Sequence, residues 1–466
     1  MDTDTFRRTR RGFLAAIGAA GLAGCGKVED EGGAGGPTTT PAAAVEPTTP
    51  EYDYEIGHDR TQWEHYDPDW ASPTDAPVPM ALEPEVLVEN LEIPWDLAFA
   101  PTGELFVTER TGRIHVFEGG DVERVAAPDA VIDVEALPPE PDDKGYWETW
   151  FVEGGEGGML GVAVHPAYPD APFVYVYFTA ETDDGRENRV VRFDVAADDP
   201  AATAETVVEG IPADAVHNGG RIAFGPENYL WITTGDAGDG DNAQDTSVLA
   251  GSVLRVDEDG DPAPGNPDLP GADPDPRIYT YGHRNPQCIT WLPDATPIIT
   301  EHGTDGLDEV NLLEPGANYG WPDVRRPEEY EGSDVHPPLV STEESWAPSG
   351  GVFYTSERVS EWRNRLVFGS LFGQRVNVVT LSPKGAELAP VDDEERGRHY
   401  DADWHDDAYA AAAHWTLTDE LGRIRHVKQG PDGHLYAITS NRDGRPRGDR
   451  FPRRRDDVLV RLTPAE

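Results

Sequence analysis

The chain has 466 residues and a formal net charge of -51, from 88 Asp and Glu against 37 Lys and Arg, of which only Lys27, Lys144, Lys384 and Lys428 are lysines. Such a surface repels nucleic acid and anionic membranes and stays soluble by self-repulsion, a balance typical of halophilic, extracellular proteins. Cys25 and Cys288 are the only cysteines, so no disulfide framework is expected.

The N-terminal stretch "TRRGFLAAIGAAGLAGC" joins the twin arginines Arg10 and Arg11 to a short apolar run ending in small residues before Cys25. That order of charged, apolar and small-plus-Cys segments is the pattern of a twin-arginine export signal with a lipoprotein box over residues 1–25; a short amphipathic helix is the alternative. The expectation is export in folded form to the outer face of the cell membrane, with membrane contact only through a lipid on Cys25. Residues 26–80, with "GGAGGPTTTPAAAVEPTTP", are Pro/Thr/Gly-rich and acidic and read as a disordered tether.

From residue 81 to 466 one unit recurs: an apolar run, a Pro/Gly turn, then a run rich in β-branched and aromatic residues. It occurs from Leu97 ("LAFAPTGELFVTERTGRIHVF"), Val162, Ile222 ("IAFGPENYLWITTGD"), Ile289, Gly351 and His426 ("HVKQGPDGHLYAITSN"). Each hairpin is too small to bury its own faces and is followed by a further run that can supply outer strands. The intervals are Gly, Pro and Asp rather than helical stretches, which argues against a parallel α/β fold. The expectation is an all-β, six-bladed β-propeller of four-stranded antiparallel blades.

In an antiparallel pair, the residue before the first strand and the residue after the second lie at the same end. If the first strand of each blade is innermost, His217, Arg284, Asn285, Arg423 and Arg425 gather on one face with Glu109, Arg110, Asp236, Glu301, His302 and Gly303. One base, one carboxylate to orient it and several arginines suit an anionic ligand beside a proton-abstraction site. His217 precedes two glycines that permit close approach of a planar ligand, and Asp236 follows the partner strand of the same hairpin. The pattern is equally met by a His217 that merely caps its strand and an Asp236 that is one more acid of the loop "GDAGDGDNAQD". That loop departs from the twelve-residue calcium pattern and reads better as a solvated acidic turn. Arg423 and Arg425 stand two apart in a strand-like run and so share a side, which fits joint contact with one anion, although surface salt bridges would also employ them. No phosphate-binding glycine loop, HExxH or G-x-S-x-G is present, which leaves hydrolase and nicotinamide chemistry without a foothold.

At "IPWDLAF", "GGMLGVAVHP", "HNGGRIAFGP", "YGHRNPQ", "DEVNLLEPGANYGWP", "APSGG" and "LGRIRHVKQGPDGHLY", from about Leu87 to Leu462, the chain resembles the quinoprotein glucose/sorbosone dehydrogenase family, in particular the soluble aldose sugar dehydrogenases, here in a secreted lipoprotein of haloarchaeal type. The resemblance implies a six-bladed propeller that oxidises aldoses to lactones with pyrroloquinoline quinone and calcium, passing electrons to an external acceptor. It implies that His217 takes the hydroxyl proton of the sugar, that Asp236 holds His217, and that Arg284 stabilises charge on the quinone. It further implies that Asn285, Arg423 and Arg425 bind the cofactor and that backbone carbonyls of Gly303 and Thr304 hold calcium. Three positions depart from glucose-oxidising members: Glu156 replaces a cofactor-contacting glutamine, Thr304 a proline, and Phe372 a lysine whose place Arg375 can take. A catalytically silent propeller that binds glycan or protein is the alternative. A lactonase with a bare axial metal would need convergent acidic ligands where the slots offer mostly arginine.

Overall fold

The computed structural model describes residues 52–77, 81–128, 130–136, 155–183, 185–391, 396–445 and 450–465. The export signal of residues 1–25 and residues 26–51 and 78–80 of the tether lie outside them. Among the described residues there are twenty-five strands, one single-turn α-helix, Pro327–Tyr330, and four short 3₁₀ helices, and no helix is long and apolar enough to cross a membrane.

After β1 (Leu82–Val88), four separate four-stranded antiparallel sheets follow one another along the chain. The first comprises β2 (Pro94–Phe99), β3 (Leu105–Glu109), β4 (Arg113–Glu118) and β5 (Asp121–Ala126). The second comprises β6 (Met159–Val164), β7 (Phe173–Thr182), β8 (Gly185–Asp194) and β9 (Glu205–Pro212). Then come β10 (Ile222–Phe224), β11 (Leu230–Thr233), β12 (Ser252–Val256) and β13 (Ile278–Tyr281). The fourth holds β14 (Pro286–Trp291), β15 (Pro297–Glu301), β16 (Glu309–Leu312) and β17 (Val340–Ser341). The remaining strands are β18 (Pro348–Tyr354), β19 (Arg365–Ser370), β20 (Arg375–Pro383), β21 (Gly397–Tyr400), β22 (Tyr409–Thr416), β23 (Ile424–Gln429), β24 (Leu435–Thr439) and β25 (Leu459–Pro464).

These last strands, with β1, form one nine-stranded sheet in place of two further separate blades. The join is a single parallel pair, Gly350 with His426, between β18 and β23. It forms because Gly350 has no side chain: a Cβ there would meet the His426 ring and the Arg221 guanidinium, so only glycine lets the two backbones come into hydrogen-bonding distance. At the far edge β1 pairs antiparallel with β25, which closes the chain's N-terminal strand onto its C-terminal one.

The all-β propeller class holds, with four-stranded antiparallel blades. The first strand of each unit is innermost: β2, β6, β10, β14, β18 and β23 touch in that order, and β23 touches β2. Inner strands are buried on both faces, as in β14, because each is flanked by neighbouring sheets, whereas the outer β4 alternates buried and half-buried. The hydrophobic core lies between adjacent sheets, for example Phe106, Val174, Val176 and Phe178, or Tyr175, Tyr177, Leu230 and Leu254.

Residues 52–77, which composition assigned to the tether, are packed against the propeller. Tyr52 donates to Asp194 at 2.6 Å, Tyr54 meets the His165 ring edge-on, and His58 stacks on Tyr229. Trp70 packs on Phe353, Arg365 donates to the Asp75 carbonyl at 2.6 Å, and the Trp362 indole N–H donates to the Pro77 carbonyl at 3.3 Å. The reason is aromatic content: Tyr52, Tyr54, Trp63 and Trp70 supply apolar area that a solvated linker lacks. This strap crosses the end opposite to the hairpin slots, since its partners lie at the ends of first strands and the starts of second strands.

Candidate functional site

The short β10–β11 hairpin carries His217 before it and Asp236 after it. His217 Nδ1 lies 2.7 Å from Asp236 Oδ1. Asp236 is buried, and its carboxylate also accepts the Gly238 N–H at 2.8 Å on Oδ1 and the Trp321 indole N–H at 2.8 Å on Oδ2. An ionised carboxylate can only accept, so His217 Nδ1 donates to it and the other ring nitrogen, Nε2, is the one turned away from Asp236. His217 itself has a left-handed backbone, φ 56°. Its carbonyl accepts from Ala237 N at 3.2 Å, and its N–H donates to Glu156 Oε2 at 2.8 Å. The adjoining Gly219 (φ 59°) could not carry a side chain, whose Cβ would lie 2.6 Å from Gly235 N and Thr233 O.

Asn285, just before β14, accepts the Gly219 N–H at 3.0 Å, so it supports the glycine turn directly. Arg284 donates to the His302 carbonyl at 3.1 Å, and its guanidinium lies 5.2 Å from the Trp321 ring centre. The Arg284 Nε is buried without a partner, and burial pushes this guanidinium below its ordinary pKa. Arg284, Glu301, His302, Gly303, Thr304 and Trp321 line a cleft that is partly open to solvent. In its wall burial pushes His302 down to about 3, which keeps that imidazole neutral, while Glu301 accepts from His283 Nδ1 at 2.9 Å.

Around the axis two arginines share one carboxylate. Arg423 donates to Asp443 Oδ2 at 2.8 Å and to the Leu371 carbonyl at 3.2 Å. Arg425 lies 3.8 Å from the same carboxylate and donates to Gln287 at 2.9 Å, with its Nε buried and unpartnered. The two arginines thus share one anion, as their spacing suggests, and the protein supplies it. Arg110 spans the Gly155 and Gly157 carbonyls. Burial lowers Arg110 to about 10 and Arg425 to about 9, because desolvation penalises the charged forms. Below this layer Trp95, Asp96, Arg221 and His426 plug the channel: Asp96 pairs with Arg221 and accepts from His426 at 2.6 Å, and Arg221 lies 4.2 Å from the Trp95 ring centre.

The structure therefore brings His217, Asp236, Arg284, Asn285 and Glu156 together, with Arg423 and Arg425 beside them. Arg375 is elsewhere: it begins β20, a third strand out from the axis, between Trp346 (5.2 Å) and Trp415 (4.0 Å), and donates to Asn377. The resemblance offered Arg375 in place of a lysine; as a third-strand residue it stands away from the inner strands beside which His217 and Arg284 lie. Glu109 belongs to the scaffold, accepting from Glu92 N, Arg113 and His115. Gly303 donates to Asp308 at 2.8 Å, and burial raises Asp308 to about 6. Among the described residues no three His, Cys, Asp or Glu side chains converge on a metal position.

Sequence reasoning overlooked Asp443, Arg445 and Trp321. Asp443 follows the second strand of the last hairpin and was open to the slot rule. Trp321 lies on the long β16–β17 excursion and reaches Asp236 only because that loop climbs beside the third sheet, as the pairing of Tyr281 with Asn318 records.

Residues 91–448 match the profile of the family described as Glucose / Sorbosone dehydrogenase. The aldose sugar dehydrogenase YliI of Escherichia coli is 29% identical over 392 residues, 80% of this chain and 93% of that protein. Quinoprotein glucose dehydrogenase B of Acinetobacter calcoaceticus is 30% identical over 270 residues, 52% of each chain. The PQQ-bound aldose sugar dehydrogenase of Streptomyces coelicolor superposes with a TM-score of 0.63 at 32% identity, covering 84% of this chain and 99% of its own. With a match over most of its length, this chain belongs to the Glucose / Sorbosone dehydrogenase family.

Proposed function

We propose that this protein is a six-bladed propeller dehydrogenase that oxidises aldose sugars to lactones with pyrroloquinoline quinone, passing the electrons to an external acceptor. The observation that carries the reading is the His217–Asp236 pair, with Nε2 turned away from Asp236, beside arginines that keep buried nitrogens without a partner. Support for six blades comes from the six innermost strands, which close a ring, and from the single residue pair that fuses the last two units.

The residues suit the cofactor. A planar tricarboxylate needs desolvated, forked donors, and Arg284 and Arg425 each keep a buried Nε without a partner. When bound, the quinone supplies a two-electron acceptor for the hydride of the sugar. His217 Nε2 accepts the proton of the hydroxyl on the carbon being oxidised, and Asp236, fixed by Trp321, holds the imidazole and stabilises its protonated form. Arg284 faces the same cleft and stabilises negative charge that develops there. Arg423, Arg425 and Asn285 bind and orient. For calcium the fit is narrower, because among the described residues no three acidic or imidazole side chains converge; we propose that main-chain oxygens of the 303–304 turn hold it and assign it no step.

Export through the twin-arginine route and a lipid on Cys25 complete the proposal. A silent binding propeller would have no use for a half-buried histidine oriented by a buried carboxylate. The test is reconstitution with quinone and calcium in high salt, followed by dye reduction with several aldoses. Reduction by wild type that falls at least about a hundredfold in His217→Ala is expected; absent reduction, or full activity in the variant, overturns the reading.

A further inference from the structure

Glu156 is a half-buried carboxylate beside a pocket that we read as anion-binding, where an acid should weaken the site. Its two oxygens are both committed. Oε2 accepts the His217 N–H at 2.8 Å, and Oε1 accepts from Arg445 Nη1 at 2.8 Å. The loop that carries it is pinned on both sides: Arg110 donates to the Gly155 and Gly157 carbonyls, and Glu156 N donates to the Ala215 carbonyl at 2.8 Å. Arg445 is set by its own N–H, which donates to Asp443 Oδ1 at 3.0 Å, the carboxylate that pairs with Arg423. Burial alone would raise the Glu156 carboxyl, but Arg445 and the His217 N–H outweigh it and hold it down at about 2.

His217 needs this support. A non-glycine residue in the left-handed region costs about 1 kcal/mol or more unless its surroundings fix it. Asp236 grips the ring and Ala237 the carbonyl; only Glu156 grips the N–H.

We infer that Glu156 and Arg445 form a neutralised clasp, in which Glu156 is a positioning residue for His217 and Arg445 cancels its charge so that the pocket stays receptive to an anion. This rests on the proposed function for its ligand, and on hydrogen bonds alone for its geometry. The pair ties the loop before the second sheet to the loop after β24, across the first sheet, so the last hairpin of the chain sets the base of the third unit.

The test uses the full chain and two readouts, quinone affinity by absorbance titration and steady-state kinetics. Glu156→Ala, which removes the acceptor, is expected to lower kcat about tenfold without weakening quinone affinity, and Glu156→Gln to recover kcat to within about threefold while binding at least as tightly as wild type. Arg445→Gln leaves the carboxylate bare and is expected to weaken quinone binding about tenfold, an effect that adding Glu156→Gln reverses. An Arg445→Gln chain that binds like wild type, or a double variant that stays weak, overturns the charge role. Unchanged kcat in Glu156→Ala overturns the positioning role. If Arg445→Gln does not fold, the tighter binding expected of Glu156→Gln decides the charge role. If no variant, nor wild type, binds quinone, the functional reading fails and the clasp is decided by ¹⁵N-imidazole NMR of the chain alone. There the His217 Nδ1 signal, assigned by its loss in His217→Ala, shifts or broadens in Glu156→Ala and stays in Glu156→Gln; a signal unmoved in both overturns the clasp.

Discussion

At the scale of the residue, the orientation of His217 depends on the number of hydrogen bonds that Asp236 accepts. Asp236→Asn removes the negative charge that stabilises a protonated His217, and can keep its oxygen on His217 Nδ1 and Gly238 N only by setting its NH2 against the Trp321 N–H. We expect kcat to fall by about a hundredfold or more with the fold intact, read by dye reduction and circular dichroism. Trp321→Phe removes one donor and keeps the ring beneath Arg284; a loss of about three- to tenfold is expected, much smaller than that of Asp236→Asn. Gly235 shows how tightly the turn is built: a Cβ there would run into the His217 carbonyl. Gly235→Ala should cost about 2–4 kcal/mol in denaturant unfolding and displace the base as well. His217 was visible in the sequence as a histidine before two glycines, whereas the third donor on its partner carboxylate, Trp321, 85 residues from Asp236, was not.

At the scale of the element, the strap of residues 52–77 seals the face away from the site. Its contact at His165 has a consequence for pH. This ring is fully buried among Tyr54, Phe173, Tyr175 and Phe224, and burial pushes it down to about 4 from an ordinary 6.5. A depressed pKa means that the unfolded chain takes up the proton first, so the stability from this group is complete above about 6.5 and is lost as pH falls towards 4. His165→Phe should therefore flatten the fall in Tm between pH 6.5 and 4, at the modest cost of the bond from Ala167 N to His165 Nδ1. Deleting residues 52–77 should lower Tm by several degrees at every pH, because it exposes Phe353, Trp362 and the buried Arg365 together. The Pro/Thr/Gly bias that makes residues 26–51 look like a tether ends near Tyr52. Aromatic residues spaced along an otherwise polar segment were the available signal, and composition averaged over 26–80 hid them.

At the scale of the whole molecule, a charge of -51 sets the conditions under which any of this can be measured. Self-repulsion of that size opposes compaction, and salt screens it over a Debye length of about 3 Å at 1 M against about 10 Å at 0.1 M. Tm should rise steadily between 0.1 and 3 M KCl, and activity should be regained on return to high salt; a Tm independent of salt would contradict the halophilic reading. The repeated hairpins settled the all-β class and put the candidate site residues at one end of the blades, because alternation of strand direction is a local property of sequence. They also named His217, Asp236, Arg284, Asn285, Arg423 and Arg425, all of which stand in slots next to innermost strands. Radial distance is not local. Arg375 fell between two tryptophans on an outer strand, Gly350 fused two units through one backbone pair, and Arg445 reached Glu156 across an intervening sheet. Each of these was decided by which blade faces which around a closed ring, and only the tertiary structure holds that information.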